Sequence, residues 1–474
     1  MGYAPKKRCP VAAEPGVLQA DIHLYFLTYF EIQSIIVVYM QCNFTYAYHH
    51  VREDYIMDEK KILAGYEYAK ECYAAYGVDV DAAMAKADAI PVSMHCWQGD
   101  DVIGFDGADT LSGGIATTGN YPGRARNAEE LRADIDFARS MIPGETKLNL
   151  HACYAEKNGK EVDRDEYTIE QFQNWVDWAK ERNVGLDFNP TFFGHPRMDG
   201  DFSLSSYDKG TRDFWVEHGI RCREIGLEFA KQTGKICGIN YWMPDGYKDI
   251  CADTKTHRDL MTDSLDRIFA PDIDETLVPC GIESKVFGIG LESYTVASHE
   301  YAMGYAISRN KLYTLDAGHF HPTEVISAKL TACLQFLDKV LLHVSRPVRW
   351  DSDHVIILDD ELQKIMDELI LNGLEDRALI ALDYFDASIN RIACWAMGMR
   401  NTRKAILSSC LAPAAIAEAE HNRDLTARLA MMEERKTLPM GAVWDYYCMT
   451  KGVDVGADWF KRVKQHEVDV LSKR

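Results

Sequence analysis

From residue 91 onward the chain repeats one pattern: a short apolar run, polar residues at its end, then a loop and an amphipathic stretch. The apolar runs fall at 92–94, 148–150, 184–188, 236–241, 278–282, 312–315, 340–342 and 379–382. Between them lie stretches of helical period. In 169–182, for example, Phe172, Trp175 and Trp178 share a side, and a second such stretch covers 211–232. Short apolar runs alternating with helices predict parallel strands joined by crossovers. A doubly wound sheet alternates in the same way, but eight units predict closure into an α/β (β/α)8 TIM barrel.

The polar residues that end these runs carry the chemistry. In order they are His95 and Trp97; His151; Asp187 and Asn189; Asn240, Trp242 and Asp245; Glu283 and Lys285; Asp316 and His319; His343; and Asp383. A barrel gathers all eight strand ends on one rim, where active sites of this fold form. Acids, imidazoles and a lysine at every strand end are more than solubility requires.

Four segments concentrate the candidates: 281–285 (Gly-Ile-Glu-Ser-Lys), 315–322, 343–353 and 382–388. Carboxylates with one or two imidazoles suit Mn²⁺, Mg²⁺, Co²⁺ or Zn²⁺ with positions left open for substrate. No cysteine joins the cluster, which argues against a structural zinc site. Asp351 and Asp353 are two apart, so extended backbone points both the same way, towards a cation that His319 reaches from the preceding strand end. Glu283, Asp316, His343 and Asp383 come from four separate strand ends and could surround a second cation. Each residue also has a plainer reading. His343 can be a hydrogen-bonded core histidine, Asp351-Ser-Asp353 a turn or helix cap, and Lys285 an ion-pair partner of Glu283. His321, next to Pro322, either supports the site or faces elsewhere and is left out of the ligand set.

Composition narrows the class. The chain has 474 residues, 47% hydrophobic and 26% charged, enough for a large core. Its net charge of -21 opposes binding to phosphate backbones, so no nucleic-acid partner is expected. The thirteen cysteines are odd in number and contain no CxxC pair, as in a reduced cytoplasmic protein. Residues 1–56 differ from the rest: Lys6, Lys7 and Arg8 precede a segment rich in Ile, Val, Tyr and Phe. Its charge-free part, 32–48, is shorter than the ~20 apolar residues of a membrane span and contains Gln33, Ser34, Gln41, Asn43 and Thr45. Regular patterning starts at Met57, with Ile62, Tyr66, Ala69, Tyr73 and Tyr76 at helical spacing before Gly77. The expected organisation is an extension of doubtful reality over 1–56, a barrel over 57–400, and a helical C-terminal segment over 401–474. In that last segment Leu425, Leu429 and Met432 suggest packing against the barrel or another subunit.

Segments 93–100 (Ser-Met-His-Cys-Trp-Gln-Gly-Asp), 119–123, 185–190, 316–323, 343–353 and 444–448 resemble those of the bacterial L-rhamnose isomerase family. The likeness runs from about Met57 almost to the C-terminus. It implies an aldose–ketose isomerase interconverting L-rhamnose and L-rhamnulose, usually with Mn²⁺ (Co²⁺, Mg²⁺ or Zn²⁺ being options at a second site), in a cytoplasmic homotetramer. It also implies that His319, Asp351 and Asp353 hold the catalytic metal, and that Glu283, Asp316, His343 and Asp383 hold a more structural one. In such a reaction Asp351 and Asp353 orient a proton-shuttling water. Lys285 stabilises negative charge on oxygen, and His151 assists ring opening. Trp97, Trp242, Phe192 and Phe193 are expected to wall the sugar, although plain core packing explains each of them equally well. Rival readings are another sugar isomerase or epimerase on the same barrel, a sugar-binding protein without turnover, and a membrane-associated protein resting on residues 22–48 alone.

Overall fold

The structure, a computed structural model, describes residues 58–107, 117, 119–286, 291–349 and 351–474. The expectations for residues 1–56 and for a start at Met57 lie outside the described residues. Asp58 caps helix α1 (Glu59–Ala74), its carboxylate accepting the Lys60 amide at 3.2 Å. Ile62, Tyr66, Ala69 and Tyr73 are buried at the predicted spacing. Gly77, at φ +72°, follows in the left-handed conformation that glycine adopts without steric cost.

Eight parallel strands close a barrel: β1 (Val92–His95), β2 (Thr146–His151), β3 (Gly185–Asn189), β4 (Ile239–Tyr241), β5 (Cys280–Glu283), β6 (Leu312–Asp316), β7 (Val340–Val344) and β8 (Ala378–Leu382). Sequential strands are neighbours, and Ser93 opposite Ala381 completes the circle. Helix α2 (Val80–Ala89) precedes β1. The crossovers carry α3 (Ala128–Arg139), α4 (Gln173–Glu181), α5 (Lys209–Thr233), α6 (Thr254–Phe269), α7 (His299–Arg309), α8 (Ser327–Cys333) and α9 (Asp360–Ile370) in turn. Every predicted apolar run overlaps a strand, although 236–238 and 278–279 precede β4 and β5. Except in β4 and β8, the strands run past the apolar runs at their C-terminal ends, so His95, His151, Glu283 and Asp316 are the last residues of their strands.

Two predicted rim acids lie elsewhere. Asp187 sits in mid-strand on β3 and turns to the lower barrel, where it pairs with Lys147 and accepts the Gly238 amide at 2.8 Å. Lys147 also donates to the Ile236 carbonyl at 3.0 Å. Asp245 is buried and accepts four hydrogen bonds from the amides and hydroxyls of Ser203 and Ser205. Both carboxylates are satisfied by structure.

After β8, α10 (Arg391–Cys410) fixes the loop that leaves β1. Trp395 donates to the His95 carbonyl at 2.8 Å, and a Cβ on Gly99 would meet the Trp395 ring at 2.5 Å, so only glycine admits this approach. Arg391 forks the Asp101 carboxylate with two bonds of 2.8 Å. Asp101 and Val102 take φ +64° and +63°, strain on the order of 1–3 kcal/mol for each residue. Arg391 offsets that strain from outside. From inside, Asp100 does so by accepting the Tyr154 hydroxyl at 2.5 Å and the Gly104 amide at 2.8 Å. Residue 400, where the sequence suggests the helical segment begins, falls inside α10. The chain ends in α11 (Ala415–His421), α12 (Leu425–Glu434), α13 (Met440–Thr450) and α14 (Asp458–Asp469). No residue of α12 is buried, and Leu425 and Leu429 are more than half exposed.

Replacing one member of the Lys147–Asp187 pair leaves a buried charge without its partner. Lys147→Met is expected to lower unfolding stability by about 3 kcal/mol, and Lys147→Met with Asp187→Leu to recover most of it. Denaturant melts of the three proteins check this.

Candidate metal centre

Side chains from five successive strand ends converge at the C-terminal mouth of the barrel. Glu283 ends β5, Asp316 ends β6, His343 lies on β7 and Asp383 follows β8; Asn240, on β4, reaches the same point. One ligand atom from each of Glu283, Asp316, His343 and Asp383 lies within 4.8 Å of all the others. His343 Nδ1 is 3.2 Å from Asp383 Oδ2 and 3.4 Å from Glu283 Oε2, yet it has no aligned hydrogen bond. Asp316 Oδ1 accepts the Gly318 amide at 2.6 Å, while its Oδ2 is buried without a partner. Neighbours orient the other carboxylates. Asn240 Nδ2 donates to Glu283 Oε2, and Trp97 Nε1 donates to Asp383 Oδ1 at 2.9 Å.

Three carboxylates and an imidazole gathered around one point, with Asp316 Oδ2 and the His343 nitrogens left without hydrogen bonds, are what a divalent cation with oxygen and nitrogen ligands requires. Electrostatics agrees. Burial, with Glu283 and Asp383 close by, pushes the Asp316 carboxyl up to about 8, while burial and Asp351 raise Asp353 well above the usual range. Burial opposes charge on His319 and His343, but surrounding carboxylates outweigh it and raise both, His319 to about 10. Without a cation, the cluster collects protons to lower its own charge.

The other predicted triad is adjacent but differently arranged. His319 Nδ1 donates to the Ser284 carbonyl at 2.8 Å, which turns Nε2 towards Asp351 Oδ2 at 3.7 Å and Lys285 Nζ at 3.4 Å. Asp351 pairs through Oδ2 with Lys285, and its Oδ1 is buried without a partner. Asp353 lines the same cavity. The backbone here is not extended, contrary to the sequence expectation. Beyond Pro347 the chain doubles back, Arg346 bridges His354, and Asp353 takes φ +41°. A returning loop, and not strand alternation, brings both acids to the rim. Lys285 lies 5.6 Å over the Trp242 ring; burial opposes its charge, but Asp351 more than compensates and keeps it an ammonium.

The cavity above the cluster is lined by Trp97, Val102, His151, Phe193, Trp242 and Phe385. Phe192 is not among the lining residues. It is fully buried and packs edge-on against Trp215 and His218, 5.9 and 5.5 Å between centroids. Consecutive residues leaving a strand point to opposite sides, so Phe193 takes the cavity and Phe192 the helix layer. His151 meets Trp97 and Phe193 edge-on at 4.8 and 5.6 Å, and burial pushes its imidazole down to about 3, so it is neutral. His321 is exposed. Sequence reasoning gave no role to Val102, which is presented by a strained loop that no periodicity announces. Asn240 was legible only as a strand-end polar residue.

The family model and the curated relatives agree on one family. The family model for L-rhamnose isomerase (RhaA) matches residues 60–474. L-rhamnose isomerase of Mannheimia succiniciproducens is 54% identical over 415 residues, covering 87% of this chain and 99% of that protein. The enzyme of the same name from Rhodopirellula baltica is 52% identical over 415 residues, covering 87% of this chain and 97% of its own length.

Because cation and protons compete for the same atoms, Mn²⁺ added to EDTA-treated protein is expected to raise Tm. That gain should shrink as pH falls through neutrality. Asp316→Asn is expected to weaken Mn²⁺ binding at least ~10-fold. Calorimetric melts and Mn²⁺ titrations across pH check both.

Proposed function

The chain belongs to the L-rhamnose isomerase family and is an enzyme that isomerises L-rhamnose, and we propose that it does so by moving hydrogen between C1 and C2 of the open sugar to give L-rhamnulose. The observation that carries this reading is the cluster of Glu283, Asp316, His343 and Asp383 beneath an aromatic cavity on the barrel rim. We assign a more structural divalent cation to that cluster and the catalytic one to His319, Asp351 and Asp353, with Mn²⁺ as the metal. A divalent cation there supplies Lewis acidity that polarises the sugar carbonyl and its neighbouring oxygen.

The chain's own groups do the rest. Trp97, Trp242, Phe193 and Phe385 cover the sugar's C–H faces and exclude water. Lys285, held as an ammonium by Asp351, stabilises negative charge on a sugar oxygen. A lysine kept cationic is a poor base, which disfavours a path in which Lys285 removes the C2 proton. Asp351 and Asp353 orient the water that carries the hydroxyl proton between O1 and O2. With the proton route confined to oxygens, hydrogen crosses from C2 to C1 with its electron pair as a hydride shift. His151 faces the sugar as a neutral imidazole and assists ring opening.

We further propose a cytoplasmic homotetramer in which α12 contributes to a subunit contact; its exposed Leu425 and Leu429 support that reading. The organisation into an extension (1–56), a catalytic barrel (57–400) and a helical segment (401–474) is proposed on the same footing. No described helix is long and apolar enough to cross a membrane.

The test is ketose formation from L-rhamnose by EDTA-treated protein before and after Mn²⁺, with L-mannose and D-xylose alongside. Metal-restored turnover of L-rhamnose, with a C2 deuterium retained in the product, is expected. Turnover of another sugar alone would reject the substrate, and washout of the label would reject the hydride shift.

A further inference from the structure

Thr191, just beyond β3, has every polar group engaged, and those bonds set the proton position on a ring that faces the cavity. The network starts at Arg164, buried and paired with Asp106 at 2.7 Å. One nitrogen of its guanidinium donates to the carbonyls of Thr191 at 2.8 Å and Phe193 at 2.6 Å. The Arg164 carbonyl lies 3.0 Å from His218 Nδ1; a carbonyl only accepts, so Nδ1 carries hydrogen. His218 Nε2 is then a bare acceptor, and it takes the Thr191 amide at 3.0 Å.

The same reasoning applies to the Thr191 side chain. Its Oγ1 accepts the Cys153 amide at 3.1 Å and lies 3.3 Å from His151 Nδ1. The amide uses a lone pair and leaves the hydroxyl hydrogen to be donated. Its acceptors in reach are His151 Nδ1 and the Cys153 sulfur, and sulfur is a weak acceptor. Nδ1 therefore receives the hydrogen, and a neutral His151 carries its own on Nε2.

We infer that Thr191 is a positioning residue that locks His151 in the Nε2–H tautomer, so that His151 meets the sugar as a hydrogen-bond donor to the ring oxygen and not as a proton acceptor. This rests on His151 facing the sugar, as proposed above. It assigns uptake of the anomeric hydroxyl proton to a group other than His151. Arg164 and His218 support it from behind, holding the Thr191 backbone and the Phe193 wall in one register.

The test combines nitrogen NMR of ¹⁵N-histidine-labelled full-length protein with steady-state kinetics. The compared proteins are wild type, Thr191→Val and Thr191→Ser, with the His151 signals assigned by difference against His151→Gln. In wild type and Thr191→Ser, His151 is expected to show protonated Nε2 and bare Nδ1. In Thr191→Val, of nearly equal shape but without the hydroxyl, the tautomers should mix. Its kcat should fall about 10-fold with KM changed little, and serine should rescue it. Protonated Nδ1 in wild type, or an unchanged His151 spectrum in Thr191→Val, would overturn the inference. The spectra need no turnover, so absence of isomerase activity would count against the proposed function while the tautomer is still decided.

Discussion

Carboxylates that repel one another are held together at the mouth of this barrel, and much of the surrounding structure is arranged to make that possible. Glu283, Asp316 and Asp383 come from different strands, and the loop beyond β7 returns Asp353 to the same cavity and Asp351 to Lys285 at its edge. In water such a cluster would disperse; on a closed barrel each strand is fixed by two neighbours, and the acids cannot move apart. The repulsion must be met by positive charge. Lys285 meets part of it through Asp351, and His319 and His343 meet more by holding protons. Asp316 Oδ2 remains without a partner, a vacancy in hydrogen bonding that a cation fills better than a proton does.

The same constraint explains the neighbours. Asn240 and Trp97 spend their donors on Glu283 and Asp383, so the rings and amides around the cluster orient ligands as well as line the cavity. The wall opposite is built from strain and its compensation: Val102 is presented by left-handed backbone that Arg391 and Asp100 hold in place. Binding geometry at the rim thus depends on α10, whose residues fix the β1 loop from behind.

How much of this was legible in the sequence follows from the range of each interaction. The eight strands were readable because each buries its apolar residues locally, and the four-ligand cluster was readable because a closed barrel turns strand ends into neighbours. Phe192 and Phe193 were not separable until the direction of the chain leaving β3 was known. Asp187 reads like a rim acid, but its partner Lys147 stands one strand away, and only barrel register reveals the pair. Asp351 pairs with Lys285 and Asp353 lines the cavity, but not through the extended geometry expected for them, because the bridge between Arg346 and His354 is a tertiary contact. The position of Thr191 between two histidines rests on residues from 151 to 218, which no sequence spacing connects.

The central claim is that the converging side chains of Glu283, Asp316, His343 and Asp383 exist to hold a divalent cation. Anomalous diffraction at the manganese edge, from crystals grown with Mn²⁺ and without substrate, tests it most directly. The account predicts a strong anomalous peak enclosed by those four side chains, with Asp316 Oδ2 and His343 drawn to bonding distance. A well-ordered cluster without that peak, its carboxylates bonded only to protein groups while Mn²⁺ binds elsewhere, would contradict it.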